Sequence, residues 1–265
     1  MRFAGTENLN KYSGMSLLEI LLAMMLSLLL IAMLTKIYLV LRHTIDEQRS
    51  LQHQQHAAEK MVAILTDEVH MAGHLGCHKL TNQFHVDTTV AHTLTAENFL
   101  TVEAKTMTVK YQSFPGAVLV ENMKHPSRMV VDTGVRFRVG QILVISDCAH
   151  AEIFQVGDVR KILDKQIIDA KHGLHHLYRQ YTEIGSLTSR HYFLGKSYYQ
   201  QKNRPVNYAL MRRNIDGSQQ EMVDEIDRLS FQRDESGVYF DFETKHSSSR
   251  QAWHGYAGSY VSKDH

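Results

Sequence analysis

The spacing of apolar positions changes twice along this 265-residue chain. From Met15 to Leu41 nearly every position is apolar, and sixteen consecutive uncharged residues separate Glu19 from Lys36. At about 1.5 Å per residue a helix over this stretch covers roughly 40 Å, enough to cross a bilayer core of about 30 Å with some tilt. Beyond Leu41 the apolar surface narrows to a stripe. Ala58, Met61, Val62, Leu65, Val69 and Ala72 recur at helical spacing, with Gln, Glu, Lys and Asp on the other faces. No glycine or proline interrupts Met15 to Ala72, so the pattern predicts one helix, ended by the capping glycines Gly73 and Gly76. Its soluble half needs a sheet or other helices to cover the stripe.

Thr81 to Asn98 is polar without a clear period and is expected to be an irregular loop. After it the period becomes two. Met107, Val109 and Tyr111 alternate with Thr108 and Lys110; Val135, Phe137 and Val139 alternate with arginines; Val238, Phe240 and Phe242 alternate with Tyr239 and Asp241. The short runs Ala117–Val120, Ile142–Ile145 and Ile153–Val156 fit buried strands. After Phe242 the chain turns Ser-rich, and Trp253 to Gly258 shows little alternation, which leaves the completeness of the sheet open. One helical block followed by many short strands argues an α+β fold with an antiparallel sheet. The expected divisions are a leader at 1–14, an apolar helix at 15–41, an amphipathic continuation at 42–72 and a β-rich head at 73–265.

Net charge is +1 with acids and bases interleaved, so no basic field points to direct nucleic-acid binding. A head of this size can bury a real core. Arg2 and Lys11 before the apolar run favour the amino end inside, which puts the head in a periplasm. That compartment is oxidising and would let Cys77 and Cys148 pair; closing such a loop stabilises by about 4 kcal/mol, and the alternative is two free thiols. Among seventeen histidines, His172, His175 and His176 form one group, and His70, His74 and His78 repeat at i, i+4, i+8. Histidines at i, i+4 on a helix bind zinc, but Gly73 and Gly76 break that face and no acid or cysteine nearby completes a shell. Solvated histidines, with no metal, are expected. No Gly-x-Ser-x-Gly elbow or Gly-rich phosphate loop occurs, so neither an enzyme nor a cofactor is expected.

The amino end carries the most specific text. A carboxylate such as Glu19 inside an apolar span is costly, about 2.5 kcal/mol or more at mid-membrane, and is a functional hypothesis by default. Secretory signals are cut after their apolar region, whereas Gly14 stands before it. A cut there keeps the helix, exposes a new amine at Met15 and makes Glu19 the fifth mature residue. A plain signal anchor is the simpler alternative. This text resembles the prepilin leader of type IV pilins and type II secretion pseudopilins, although Met15 stands where that superfamily usually has phenylalanine. Ala72-Gly73, two residues, then Gly76-Cys77 resembles the helix end of the PilW family of minor pilins. The segment Val139 to Val156, with Ser146-Asp147-Cys148 before Ile153-Phe154-Gln155-Val156, resembles the same family, and Asn207–Arg212 with Gln220–Ile226 does so more loosely.

The resemblance implies a pilin-like fold, a long N-terminal helix packed on an antiparallel β-sheet head. It implies cleavage by prepilin peptidase between Gly14 and Met15, and an ion pair between Glu19 and the Met15 amine of a neighbouring subunit. Its implied partners are other minor pilins, the major pilin, the inner-membrane assembly platform and a tip adhesin. The chain would wait in the inner membrane with a periplasmic head, then help initiate the fibre from its tip, supporting motility, adhesion or DNA uptake indirectly. A J-type minor pseudopilin of type II secretion is the alternative. A third reading is an anchored periplasmic metal-binding or sensor domain using the His-rich head.

Overall fold

The structure is a computed structural model that describes residues 17–76, 78–79, 86–88, 98–199, 206–234, 236–246 and 249–258. The chain divides into two compact units, Met1–Gln52 and His53–His265. One helix, α1 (Leu17–Met71, 55 residues), supplies all the described structure of the first unit and the opening element of the second. It ends within a residue of where the sequence predicts. Gly73, at φ 71°, turns the chain left-handed, and its N–H donates to the carbonyl of Lys110 at 3.0 Å.

Among the described residues, sixteen strands follow in the second unit. Two short ones, β1 (His74–Leu75) and β2 (His78–Lys79), pair with each other. The main sheet draws on β3 (Val86–Thr88), β4 (Leu100–Glu103), β5 (Thr106–Gln112), β6 (Ala117–Val118), β7 (Arg128–Asp132), β8 (Ile142–Ser146), β9 (Ala151–Ile162), β10 (Lys165–Ala170), β11 (Glu183–Lys196), β12 (Tyr208–Asn214) and β13 (Gln219–Val223). Pairing is antiparallel except where β3 runs parallel to the start of β9, so the expected irregular loop holds a short strand. The long strand β11 organises this sheet. Its first residues pair with β8 and β6, and its later ones with β5 and β12. A separate sheet holds β14 (Ile226–Arg233), β15 (Gly237–His246) and β16 (Ser249–Gly258) in that order. Its link to the main sheet includes the Phe231 N–H, which donates to the carbonyl of Ala104 at 3.1 Å.

Two apolar clusters result. One gathers the helix stripe (Ala57, Ala58, Met61, Leu65 and Val69) with Val109, Tyr192, Leu210, Phe231, Phe240 and Phe242. The other lies among β6 to β10 and holds Leu119, Met129, Phe137, Leu143, Phe154 and Ile168. The amphipathic stripe is therefore covered by sheet. Such burial at about 25 cal/mol per Å2 of apolar surface is the main stabilising term for a half-helix that would not hold alone.

Three expectations need correction. The alternating segment from Val135 to Val139 is not a strand. Side-chain amides take its backbone groups instead: Gln166 Nε2 donates to the carbonyls of Asp132 and Val135, and Gln141 Oε1 accepts from the Arg138 N–H. Of the three apolar residues there, Phe137 is buried and Val139 is exposed. The run Ala117–Val120 yields two strand residues, with Leu119 adding an isolated bridge to Val131. Conversely, Ser249–Gly258 is a ten-residue strand paired with β15 along its whole length. Its inward positions include Gly255 and Ala257 because the ring of Phe240 already fills the space. A Cβ on Gly255 would lie 2.0 Å from a ring carbon of Phe240. Small residues on that face hid the strand alternation.

Candidate functional site

The first candidate is the exposed part of α1. From Leu17 to Leu41 every residue is exposed, including Leu17, Met25, Leu30, Leu34 and Leu41. Two polar residues inside the run turn their hydroxyls back onto the helix. Ser27 Oγ donates to the carbonyl of Ala23, and Thr35 Oγ1 to that of Ile31 at 2.7 Å. Their hydrogen-bonding groups are thereby satisfied internally, as a segment surrounded by lipid or other helices requires. This is the one helix among the described residues long and apolar enough to cross a membrane, by length and composition. Glu19 sits in its first turn, exposed, where the helix dipole favours an anion. Gly14 and Met15, the expected processing residues, lie outside the described residues.

The second candidate is the turn that closes α1. Leu75 is fully buried, and its carbonyl accepts from Ser146 Oγ at 3.3 Å. Gly76, at φ 55°, has a left-handed backbone that favours glycine, and a Cβ there would come within 2.7 Å of Glu183 Oε2, whose side chain would have to shift. The turn is thus fastened to the end of β8, two residues before Cys148. Cys148 is not a free thiol, and Cys77 lies outside the described residues.

Sequence reasoning missed a buried charge beneath the helix. Glu68 falls on the stripe between Leu65 and Ala72 and is 7% exposed. Its Oε1 pairs with the guanidinium of Arg190 on β11 and accepts from Tyr111 Oη on β5 at 3.4 Å. The Arg190 Cζ stands 5.4 Å from the centroid of the Tyr111 ring. Burial, reinforced by the Glu68 charge, pushes the Tyr111 hydroxyl well above the usual phenol range. Burial works against the Arg190 cation, but Glu68 outweighs it and holds the guanidinium protonated. The signal was available: Met61, Leu65, Glu68 and Ala72 follow i, i+4, i+7, i+11, which puts a carboxylate on the covered face.

The histidine group also has a partner the sequence reading did not find. Glu152, on β9, has no exposed side-chain surface. It accepts the backbone N–H groups of His175 and His176 at 2.7 and 2.8 Å and the hydroxyl of Tyr178 at 3.3 Å. The ring Nδ1 atoms of His175 and His176 lie 3.1 and 3.2 Å from its two oxygens. A buried carboxylate satisfied this fully anchors the segment before β11. His74 instead packs on Phe114, ring centroids 5.2 Å apart, and α1 ends before it. The repeat at 70, 74 and 78 therefore does not share one helical face. Among the described residues, no group of three or more His, Cys, Asp or Glu side chains is placed to hold a metal ion.

Compared with protein families, curated proteins and solved structures, the chain matches nothing. The site's meaning rests on its own chemistry.

Proposed function

We propose that this chain is a minor pilin of the PilW type, cut by prepilin peptidase after Gly14 and active in starting type IV pilus assembly. One observation carries the reading: a single helix whose first half is apolar, exposed and begins at a lone carboxylate, and whose second half has its stripe buried under a β-sheet head. A soluble domain gains nothing by exposing such a surface, whereas a subunit that moves from lipid into a bundle of like helices needs it in both places. In the bundle, Glu19 is desolvated and needs a cation, and the Met15 ammonium of a neighbour supplies one, so that the two buried charges compensate each other. The disulfide between Cys77 and Cys148 belongs to the same reading. It ties the fastened turn at the helix end to the β8–β9 corner, so that pulling on the helix loads the sheet. In this reading the chain does no catalysis; it works through contacts with other minor pilins, the major pilin and the assembly platform.

The test is the mass of the N-terminal peptide after coexpression of the full chain with a prepilin peptidase. A chain starting at Met15, with or without one methyl, is expected; retention of residues 1–14 overturns the proposal. Glu19→Ala should still be cut yet fail to enter fibres, and normal incorporation of that variant would refute the pairing. A deletion strain separates the two assembly systems: loss of pili supports the pilus reading, and loss of enzyme secretion with intact pili supports the J-type pseudopilin.

A further inference from the structure

Most guanidinium groups of the β unit are already engaged. Arg128 and Arg160 hold Asp169, Arg190 holds Glu68, Arg228 faces Glu243 and Arg250 faces Asp227. Arg136 and Arg138 have no ion-pair or hydrogen-bond partner for their guanidinium groups among the described residues, and both line the same open cavity of about 630 Å3. Ligand pockets run from about 300 to 1,000 Å3, so the volume suits a small molecule or one end of a chain.

The walls are built, not accidental. Gln141 is fixed at both ends of its amide, accepting from the Arg138 N–H at 3.0 Å and donating to Ser186 Oγ at 2.5 Å. Because Ser186 Oγ accepts that bond, its own proton is free to point into the cavity. Asp216 also lines the cavity, its carboxyl lowered below the usual carboxylate range by hydrogen bonds from the Ser218 side chain and backbone. Ile142, Leu187 and Ile215 add apolar surface to the lining.

The charges restrict the ligand. Two guanidinium groups and one carboxylate leave the lining at +1, which complements a monoanion. A group with two charges at one point, such as a phosphate dianion, would exceed that charge, and a neutral molecule would gain nothing from the arginines. Arginine binds a carboxylate through two parallel hydrogen bonds. Asp216 and Ser186 suit hydroxyl groups, and the aliphatic surface suits the C–H face of a ring. We propose that this groove binds a hexuronate, a sugar ring carrying one carboxylate, either free or as a unit of an acidic polysaccharide. The carboxylate sits on Arg136 and Arg138, and ring hydroxyls reach Asp216 and Ser186. This goes beyond pilus assembly and does not depend on it.

The experiment is calorimetric titration of the full chain in detergent micelles with sodium glucuronate and with a short oligogalacturonate. Saturable binding is expected, weakened at least tenfold by Arg136→Ala with Arg138→Ala and partly retained by the two lysine variants. Glucose, inorganic phosphate and glutamate should each bind at least tenfold more weakly. Tighter binding of the oligomer would identify a polymer as the source, and equal binding the free sugar; both support the site. No saturable binding of either acid would overturn the proposal. So would undiminished binding by the double alanine variant, or equal binding of phosphate or glutamate. Both arginines are exposed, so an unchanged melting curve verifies that each variant is folded.

Discussion

Replacing Arg190 by methionine removes one half of the buried pair under α1 while keeping most of the side chain's bulk. Glu68 is then left 7% exposed with the Tyr111 hydroxyl, at 3.4 Å, as its remaining described donor. Breaking a buried ion pair from one side costs about 3–5 kcal/mol, because the surviving charge keeps its desolvation penalty and loses its compensation. The Arg190 side chain is itself 28% exposed, so water can reach the gap and the lower end of that range applies. For a domain of this size about 1 kcal/mol moves Tm by roughly 2–4 °C, so a fall of about 6–12 °C is expected. The assay is thermal and urea unfolding of the full chain in detergent, as a double-mutant cycle with Glu68→Leu. The double variant should recover to within about 1 kcal/mol of wild type, since an apolar pair of similar volume avoids both desolvation costs. Arg128→Ala, which breaks the exposed pair with Asp169, should leave Tm unchanged. If Arg190→Met costs no more than Arg128→Ala, or if the double variant loses the sum of the two single losses, Glu68 is not a buried charge held by Arg190.

Other outcomes follow from named contacts. Gly255→Val drives a side chain into the Phe240 ring and should destabilise the β14–β16 sheet by about 1–3 kcal/mol, read as faster amide exchange in β15 and β16; unchanged exchange would mean the strands are not in this register. His191 is pushed below the usual imidazole range by burial first and then by Arg213, with Glu103 opposing. The unfolded chain therefore binds a proton that the folded chain does not as pH falls below about 6.5, and this group contributes a loss of stability towards its lower folded value. His191→Gln should make Tm less steep between pH 7.5 and 5.5 than in wild type, and an identical slope would refute the assignment. Under denaturing conditions thiol titration should find no free cysteine until reductant is added, and reduction should cost about 4 kcal/mol; two thiols without reductant would remove the proposed bridge.

The helix was legible because one rule governed it throughout. The stripe from Ala58 to Val69 is buried as the spacing predicts, and the stop at Gly73 follows from a left-handed backbone that glycine takes without strain. The strands around Met107 and Val238 were legible because alternation there coincides with burial, and the one at Ile142 because a continuous apolar run is buried on both faces. Where the reading failed, non-local partners had replaced the local rule. The alternation at Val135 to Val139 is real, but Gln166, about thirty residues on, takes the backbone groups a neighbouring strand would need. The strand at Trp253 to Gly258 lacks large inward residues because those come from Phe240 on the adjacent strand. The buried carboxylates Glu68 and Glu152 were not singled out because their partners, Arg190 and the His175–Tyr178 segment, are distant in sequence. Charge burial is set by pairing across the fold, and a single sequence does not print the pairs.

The strand β16 has a consequence for anyone handling this protein in solution. Among the described residues it is the last strand of its sheet, its register with β15 has no bulge, and from Gln251 to Gly258 it carries no lysine, proline or acidic residue. Arg250, at its start, is tied to Asp227. Natural edges are normally blunted by such features, and a long regular edge without them is a template for another strand. Concentrated preparations should therefore associate through this border, with slow growth of β-rich aggregates that more detergent around the apolar helix does not prevent. Placing a lysine at the exposed Ala252 is the smallest change that should keep the molecule monodisperse.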